Sequence, residues 1–115
     1  MAAPVVYKSA SRGVPFTLQS ATTTGNGTPA AIPPSFTQHR VNIEGSAGVG
    51  AGAIQVESAQ SPDYAGTWNP VAGGPVTVVA SSQLEVSFSG NIGAIRARVS
   101  TNVTGGTVTC KYTGS

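Results

Sequence analysis

The stretches Gln83-Leu84-Glu85-Val86-Ser87-Phe88, Ala94-Ile95-Arg96-Ala97-Arg98-Val99-Ser100 and Thr107-Val108-Thr109-Cys110-Lys111-Tyr112 alternate apolar and polar side chains with a period of two. Successive side chains of a strand point to opposite faces, so each stretch separates into one buried and one wet face. Leu84, Val86 and Phe88 fall together, as do Ile95, Ala97 and Val99, and then Val108, Cys110 and Tyr112. Between them lie Ser89-Gly90-Asn91-Ile92-Gly93 and Asn102-Val103-Thr104-Gly105-Gly106, with the Gly and Asn that tight turns need for positive φ. The spacing predicts three strands, the last two joined as a hairpin.

The same period runs upstream. In Phe36–Glu44, His39, Val41 and Ile43 share a face opposite Arg40, Asn42 and Glu44. A glycine-rich link, residues 45–52, leads to Ala53–Ser58, with Ile54 and Val56 inward and Gln55 and Glu57 outward. Residues 61–74 carry turn chemistry in Ser61-Pro62-Asp63 and Ala72-Gly73-Gly74-Pro75, and Val76–Val79 reads as a shorter strand. Residues 1–35 differ: they hold five of the eight prolines (Pro4, Pro15, Pro29, Pro33, Pro34) and the polar tract Ser20–Thr28. Proline removes a ladder donor, so this segment is unsuited to the middle of a sheet. One short strand fits Val14–Gln19, with Val14, Phe16 and Leu18 on one face. The rest reads equally as an extended arm that orders on a neighbour or as a loose terminus. No window carries a helical apolar stripe. The expected fold is all-β: one domain, an antiparallel sandwich or barrel (jelly-roll or Ig-like) over 36–115, with a Pro-rich arm over 1–35.

Only 9% of the 115 residues are charged, against about 25% in ordinary domains. Such a surface lacks the repulsion that keeps monomers apart, so it is either covered by partners or works outside the cell. The net charge of +2 comes from six basic and four acidic side chains with no basic run, which argues against a nucleic-acid partner. Cys110 stands alone, so no intrachain disulfide forms, and a reducing cytoplasm is the expected site of folding. The N-terminal residues lack a cationic and apolar leader, and no apolar run approaches the ~20 residues of a membrane span; the expected protein is soluble and not exported by a standard route.

Chemistry-bearing residues are sparse. His39 has no second His or nearby Cys and reads as a polar residue bonded to backbone. Glu44, Glu57, Asp63 and Glu85 lie on separate elements, three of them at outward positions, so a solvated face outweighs a paired-carboxylate site. Cys110 alternates with Val108 and Tyr112 and reads as a small core residue. The Gly48–Gly52 run lacks the Gly-Lys-Ser/Thr ending of a phosphate loop and reads as a connection. No catalytic, cofactor-binding or metal-binding residues are assigned. The candidate interface residues are Tyr7, Tyr64, Trp68, Arg96 and Arg98. Tyr64 and Trp68 either stack on a sugar or anchor an interface, or Trp68 caps one end of the core, which is the favoured reading. Arg96 and Arg98 either meet an acidic strip or stand as solvated arginines, the safer reading.

Two segments carry a resemblance: Glu57-Ser58-Ala59-Gln60-Ser61-Pro62-Asp63-Tyr64-Ala65-Gly66-Thr67-Trp68, and Ile95-Arg96-Ala97-Arg98-Val99-Ser100 through Gly105-Gly106-Thr107-Val108-Thr109-Cys110-Lys111-Tyr112. Together they resemble the small β-structured virion proteins of tailed bacteriophages, over about half of the chain. The resemblance implies a capsid decoration (cement) protein, non-enzymatic and without cofactor, on the outer capsid surface and made in the host cytoplasm. It implies the major capsid protein as partner and self-association as a trimer or other symmetric oligomer. By the same analogy residues 1–35 would reach across a capsomer junction. Another virion component (tail tube, head–tail or fibre domain) and a carbohydrate-binding adhesion module are the alternatives.

Overall fold

The computed structural model describes residues 9–71 and 74–115, so Tyr7 and the rest of the first eight residues of the expected arm lie outside the described residues. The strands are β1 (Phe16–Thr22), β2 (Ala30–Ala31), β3 (Gln38–Gly45), β4 (Ala51–Ala59), β5 (Asn69–Pro70), β6 (Val76–Thr77), β7 (Gln83–Ser89), β8 (Ala94–Thr104) and β9 (Val108–Gly114). They form two antiparallel sheets, β1-β9-β3-β7 and β2-β8-β4-β5, with β6 also pairing β4. β5 and β6 follow one another along the same edge of β4, bridged by the Val71 N–H on the Val56 carbonyl. Taken as halves of one interrupted strand, they complete the eight-strand, two-sheet arrangement of a jelly roll.

The fold is therefore the expected all-β sandwich. The expected terminal hairpin is corrected: β8 pairs β4 and β2 in one sheet, whereas β9 pairs β1 and β3 in the other. Chain reversal at residues 105–107 passes the strand from sheet to sheet. That turn lies against the equivalent passage from β3 to β4: the Ser46 N–H donates to the Thr107 carbonyl, and the Gly50 N–H to the Thr104 carbonyl. Gly105, at φ +78°, is in the left-handed region, and a Cβ there would collide with the Gly48 carbonyl. Glycine is required where the two arches touch.

Residues 16–35 are built into the sandwich. β1 begins at Phe16 instead of Val14, which is exposed, and it lines the edge of its sheet against β9. A bulge near Gln19 breaks the alternation, so Leu18 and Gln19 are both buried. Gln19 Nε2 donates to the carbonyls of Ala97 (2.7 Å) and Gly25 (3.0 Å), and its Oε1 accepts from Thr22 Oγ1. The Gly25 and Thr23 carbonyls accept from the N–H groups of Val99 and Val103. The stretch of β8 edge beyond β2 is thus capped by a loop, a common protection against edge-to-edge association.

Between the sheets lie Leu18, Val41, Ile43, Val86, Val108 and Cys110 from one side and Ile54, Val56, Ile95, Ala97 and Val99 from the other. His39 is buried among Phe88 and Tyr112. Its Nε2 is 2.7 Å from the Gly90 carbonyl, which can only accept, so Nε2 carries the proton; Nδ1 then accepts from the Tyr112 hydroxyl at 2.6 Å. The histidine is structural, bonded to backbone as the sequence reading expects. Burial raises the Cys110 thiol to about 12 from 9.0 and the Tyr112 hydroxyl to about 12 from 10.0.

Gly105→Ala is expected to cost at least about 2 kcal/mol, combining left-handed strain with a backbone collision. Gly50→Ala, where the nearest atom to an added Cβ is 3.8 Å away, serves as the mild control in urea melts. Alkaline pH supplies a second test. Above pH 9.0 for Cys110 and 10.0 for Tyr112 the unfolded chain loses protons that the fold retains up to about 12. The folded state then binds more protons, so stability falls as pH rises through this window. Urea midpoints are expected to drop between these limits, less steeply in Cys110→Ala.

Candidate functional site

The β4–β8 ladder sets Glu57 opposite Arg96 and Gln55 opposite Arg98. Ile54 and Val56 are in the core, so alternation turns Gln55 and Glu57 to the outer face, as the sequence reading expects. They are not wet, however: Gln55 is only 7% and Glu57 6% exposed. The correction has a local cause. The turn-rich segment after β4 folds back, and β5 pairs residues 57–58, so Trp68 comes to rest on the outside of the sheet.

Trp68 is 4% exposed, yet it packs outside the core between the sheets. Its indole N–H donates to the Tyr64 carbonyl at 3.0 Å, and the Arg96 guanidinium carbon lies 4.4 Å from its ring centroid. This is cation–π geometry, favoured where water is excluded. The reading of Trp68 as a cap on the end of the core is thereby corrected: it covers a sheet face. Tyr64 remains partly exposed at the rim. An open groove beside it is lined by Ser58, Gln60, Thr67, Asn69 and Asn91.

Glu57 is the hub. Arg96 Nε donates to its Oε1 at 2.8 Å, while Arg98 Nε lies 3.3 Å from both carboxylate oxygens. The Arg96 contact has the length of a strong charge-assisted bond, about 2.7–2.9 Å; the Arg98 contact is slack. The Arg96 side chain is 18% exposed and that of Arg98 37%. Two guanidinium groups face one carboxylate, leaving one positive charge unmatched; Trp68 covers Arg96, while Arg98 stays partly exposed. Gln55 Nε2, opposite Arg98, is buried without a hydrogen-bond partner among the described residues. Such a cluster presents hydrogen-bond donors, from Arg98 and Gln55, and a carboxylate already paired with two guanidinium groups. Among the described residues no group of three or more His, Cys, Asp and Glu side chains stands close enough to hold a metal ion.

Four of the five candidate interface residues, Tyr64, Trp68, Arg96 and Arg98, therefore belong to one face; Tyr7 lies outside the described residues. Sequence reasoning missed Glu57 and Gln55. Their chemistry follows from the register of β4 on β8, which alternation within each strand does not encode.

Glu57→Gln would leave two guanidinium groups around a neutral amide. A cost of about 1–3 kcal/mol is expected, below the usual range for breaking a buried pair because Arg98 can rehydrate. The exposed pair Arg40–Glu85, at 3.3 Å, gives the contrast: Arg40→Gln is expected to change stability by less than about 1 kcal/mol. Chemical denaturation of both variants checks the ranking. Comparison with known proteins finds no matching family model, no matching curated protein and no matching solved structure.

Proposed function

We infer that this chain is a non-catalytic structural protein of a tailed-phage virion, of the capsid decoration type, that works by covering and bridging its neighbours. The observation that carries the reading is the outer face of the β1-β9-β3-β7 sheet. Its charged side chains are Arg40, Lys111, Glu44 and Glu85, two of each sign, so the face is neutral. Around them stand hydroxyl and amide side chains such as Gln38, Asn42, Ser87, Thr109 and Thr113. A face of this kind makes many modest contacts over a wide area and adds little long-range repulsion or steering. The resemblance of the Glu57–Trp68 and Ile95–Tyr112 segments to tailed-phage virion proteins supplies the partner class, the major capsid protein, with self-association as a symmetric oligomer.

Jelly rolls serve viral capsid domains and lectins alike, so the fold does not choose between this reading and a carbohydrate-binding module. The placement of Trp68 favours the former. A ring that is 4% exposed and stacked by Arg96 offers no free face to a sugar.

Mixing the purified protein with undecorated phage heads and sedimenting the particles tests the proposal. Saturable co-sedimentation is expected, changing only a few-fold between about 0.05 and 0.5 M NaCl. Absence of binding, or its abolition by moderate salt, overturns the capsid-decoration reading.

A further inference from the structure

We propose that the outer face of the β4–β8 ladder is a recognition site for a single carboxylate side chain on an acidic segment of a partner protein, with Arg98 as the residue that grips it. Three observations converge there. Charge is the first: Arg96 and Arg98 share one carboxylate, Glu57, and one positive charge is left over. The described basic residues elsewhere are Arg12, placed over Phe36, and Arg40 and Lys111 on the other sheet. An excess of one unit charge matches a monoanion. It does not match a phosphate dianion or a polyanion, which call for clustered cations.

Geometry is the second. Arg96 is locked, with Nε 2.8 Å from Glu57 Oε1 and its guanidinium on Trp68. Arg98 is held only at 3.3 Å, through Nε, and its side chain is 37% exposed. Its Nη groups have no acceptor among the described residues. A guanidinium fork meets a carboxylate through two parallel N–H donors, which is the arrangement Arg98 keeps free.

The third is Gln55. This side chain is more than nine-tenths buried, sits directly across the ladder from Arg98, and its Nε2 donates to nothing among the described residues. An orphaned buried donor is costly. When an incoming carboxylate draws Arg98 outward, Glu57 keeps its bond to Arg96 and its Oε2 becomes available to Gln55, two residues away on the same face of β4. Docking thus exchanges a slack contact and an orphaned donor for a bidentate pair and a satisfied amide. No covalent step is involved, and the site does not depend on which assembly the partner belongs to.

The test titrates the intact, isotopically labelled chain with a short blocked Gly-Glu-Gly peptide, its Gly-Gln-Gly counterpart and inorganic phosphate, following the Arg98 Nε–H and Gln55 side-chain amide signals by NMR. Saturable shifts of both signals are expected with the Glu peptide, with affinity at least about tenfold above that for the Gln peptide or phosphate. Arg98→Gln is expected to abolish them, and Arg98→Lys to weaken binding several-fold because the fork is lost. Equal response to the Glu and Gln peptides in the wild-type protein overturns the proposal whatever the variants do, as does tighter binding of phosphate or undiminished binding by Arg98→Gln. Because the titration uses no phage particles, failure of the capsid reading leaves this result untouched, and the converse also holds.

Discussion

The β4–β8 ladder, the longest strand pair among the described residues, is packed on both faces, and much of the rest follows from that. On the inside, Ile54, Val56, Ile95, Ala97 and Val99 close the core against the opposing sheet. On the outside a strand face would ordinarily meet water, but Trp68 and the segment that carries it exclude water there. A carboxylate placed under such a cover must be paired, since desolvating an isolated charge is prohibitive. Glu57 is paired twice over, and the guanidinium charge left unmatched is the feature on which the proposed carboxylate site rests.

The jelly-roll path imposes a second constraint. The long strands β8 and β9 have no sequential neighbours beside them: β9 lies between β1 and β3 in one sheet, and β8 between β2 and β4 in the other. The first and last strands of the described chain are therefore hydrogen-bonded to each other. Pairing of this non-local kind is slow to form and exposes edges while it forms. The finished fold covers part of what remains: Gln19 and the Thr23–Gly25 carbonyls cap β8, and the proline-containing, interrupted strand β5/β6 lines β4. Pro70 in β5 and Pro75 just before β6 lack the N–H that a further strand would need. Association through the edges of the β2-β8-β4-β5 sheet is thereby discouraged, and the outer faces of the two sheets differ in charge. One is neutral and broad, the other small and cationic.

Alternation alone makes β3, β7, β8 and β9 legible, because a sheet with one face in the core imposes a period of two on every strand that crosses it. Low charge, the solitary Cys110 and the inward placement of Val41, Val86, Val108 and Tyr112 are equally plain in the sequence. Which strands become neighbours is another matter. The Gly and Asn content of residues 102–106 signals a reversal, yet a hairpin and a passage between sheets use the same residues; the pairing of β8 with β4 and of β9 with β3 decides for the latter, and it brings Gly105 onto the Gly48 backbone. The bulge that buries Gln19 beside Leu18, and with it the integration of residues 16–35, depends on a distant partner strand, in which Cys110 stands opposite Gln19. So too for the site: that Glu57 and Gln55 point outward is written in their spacing from Ile54 and Val56, but their burial, and the gathering of Arg96, Arg98 and Trp68 around one carboxylate, belongs to tertiary structure, because side-chain direction is set within a strand whereas register and cover are set by what packs against it.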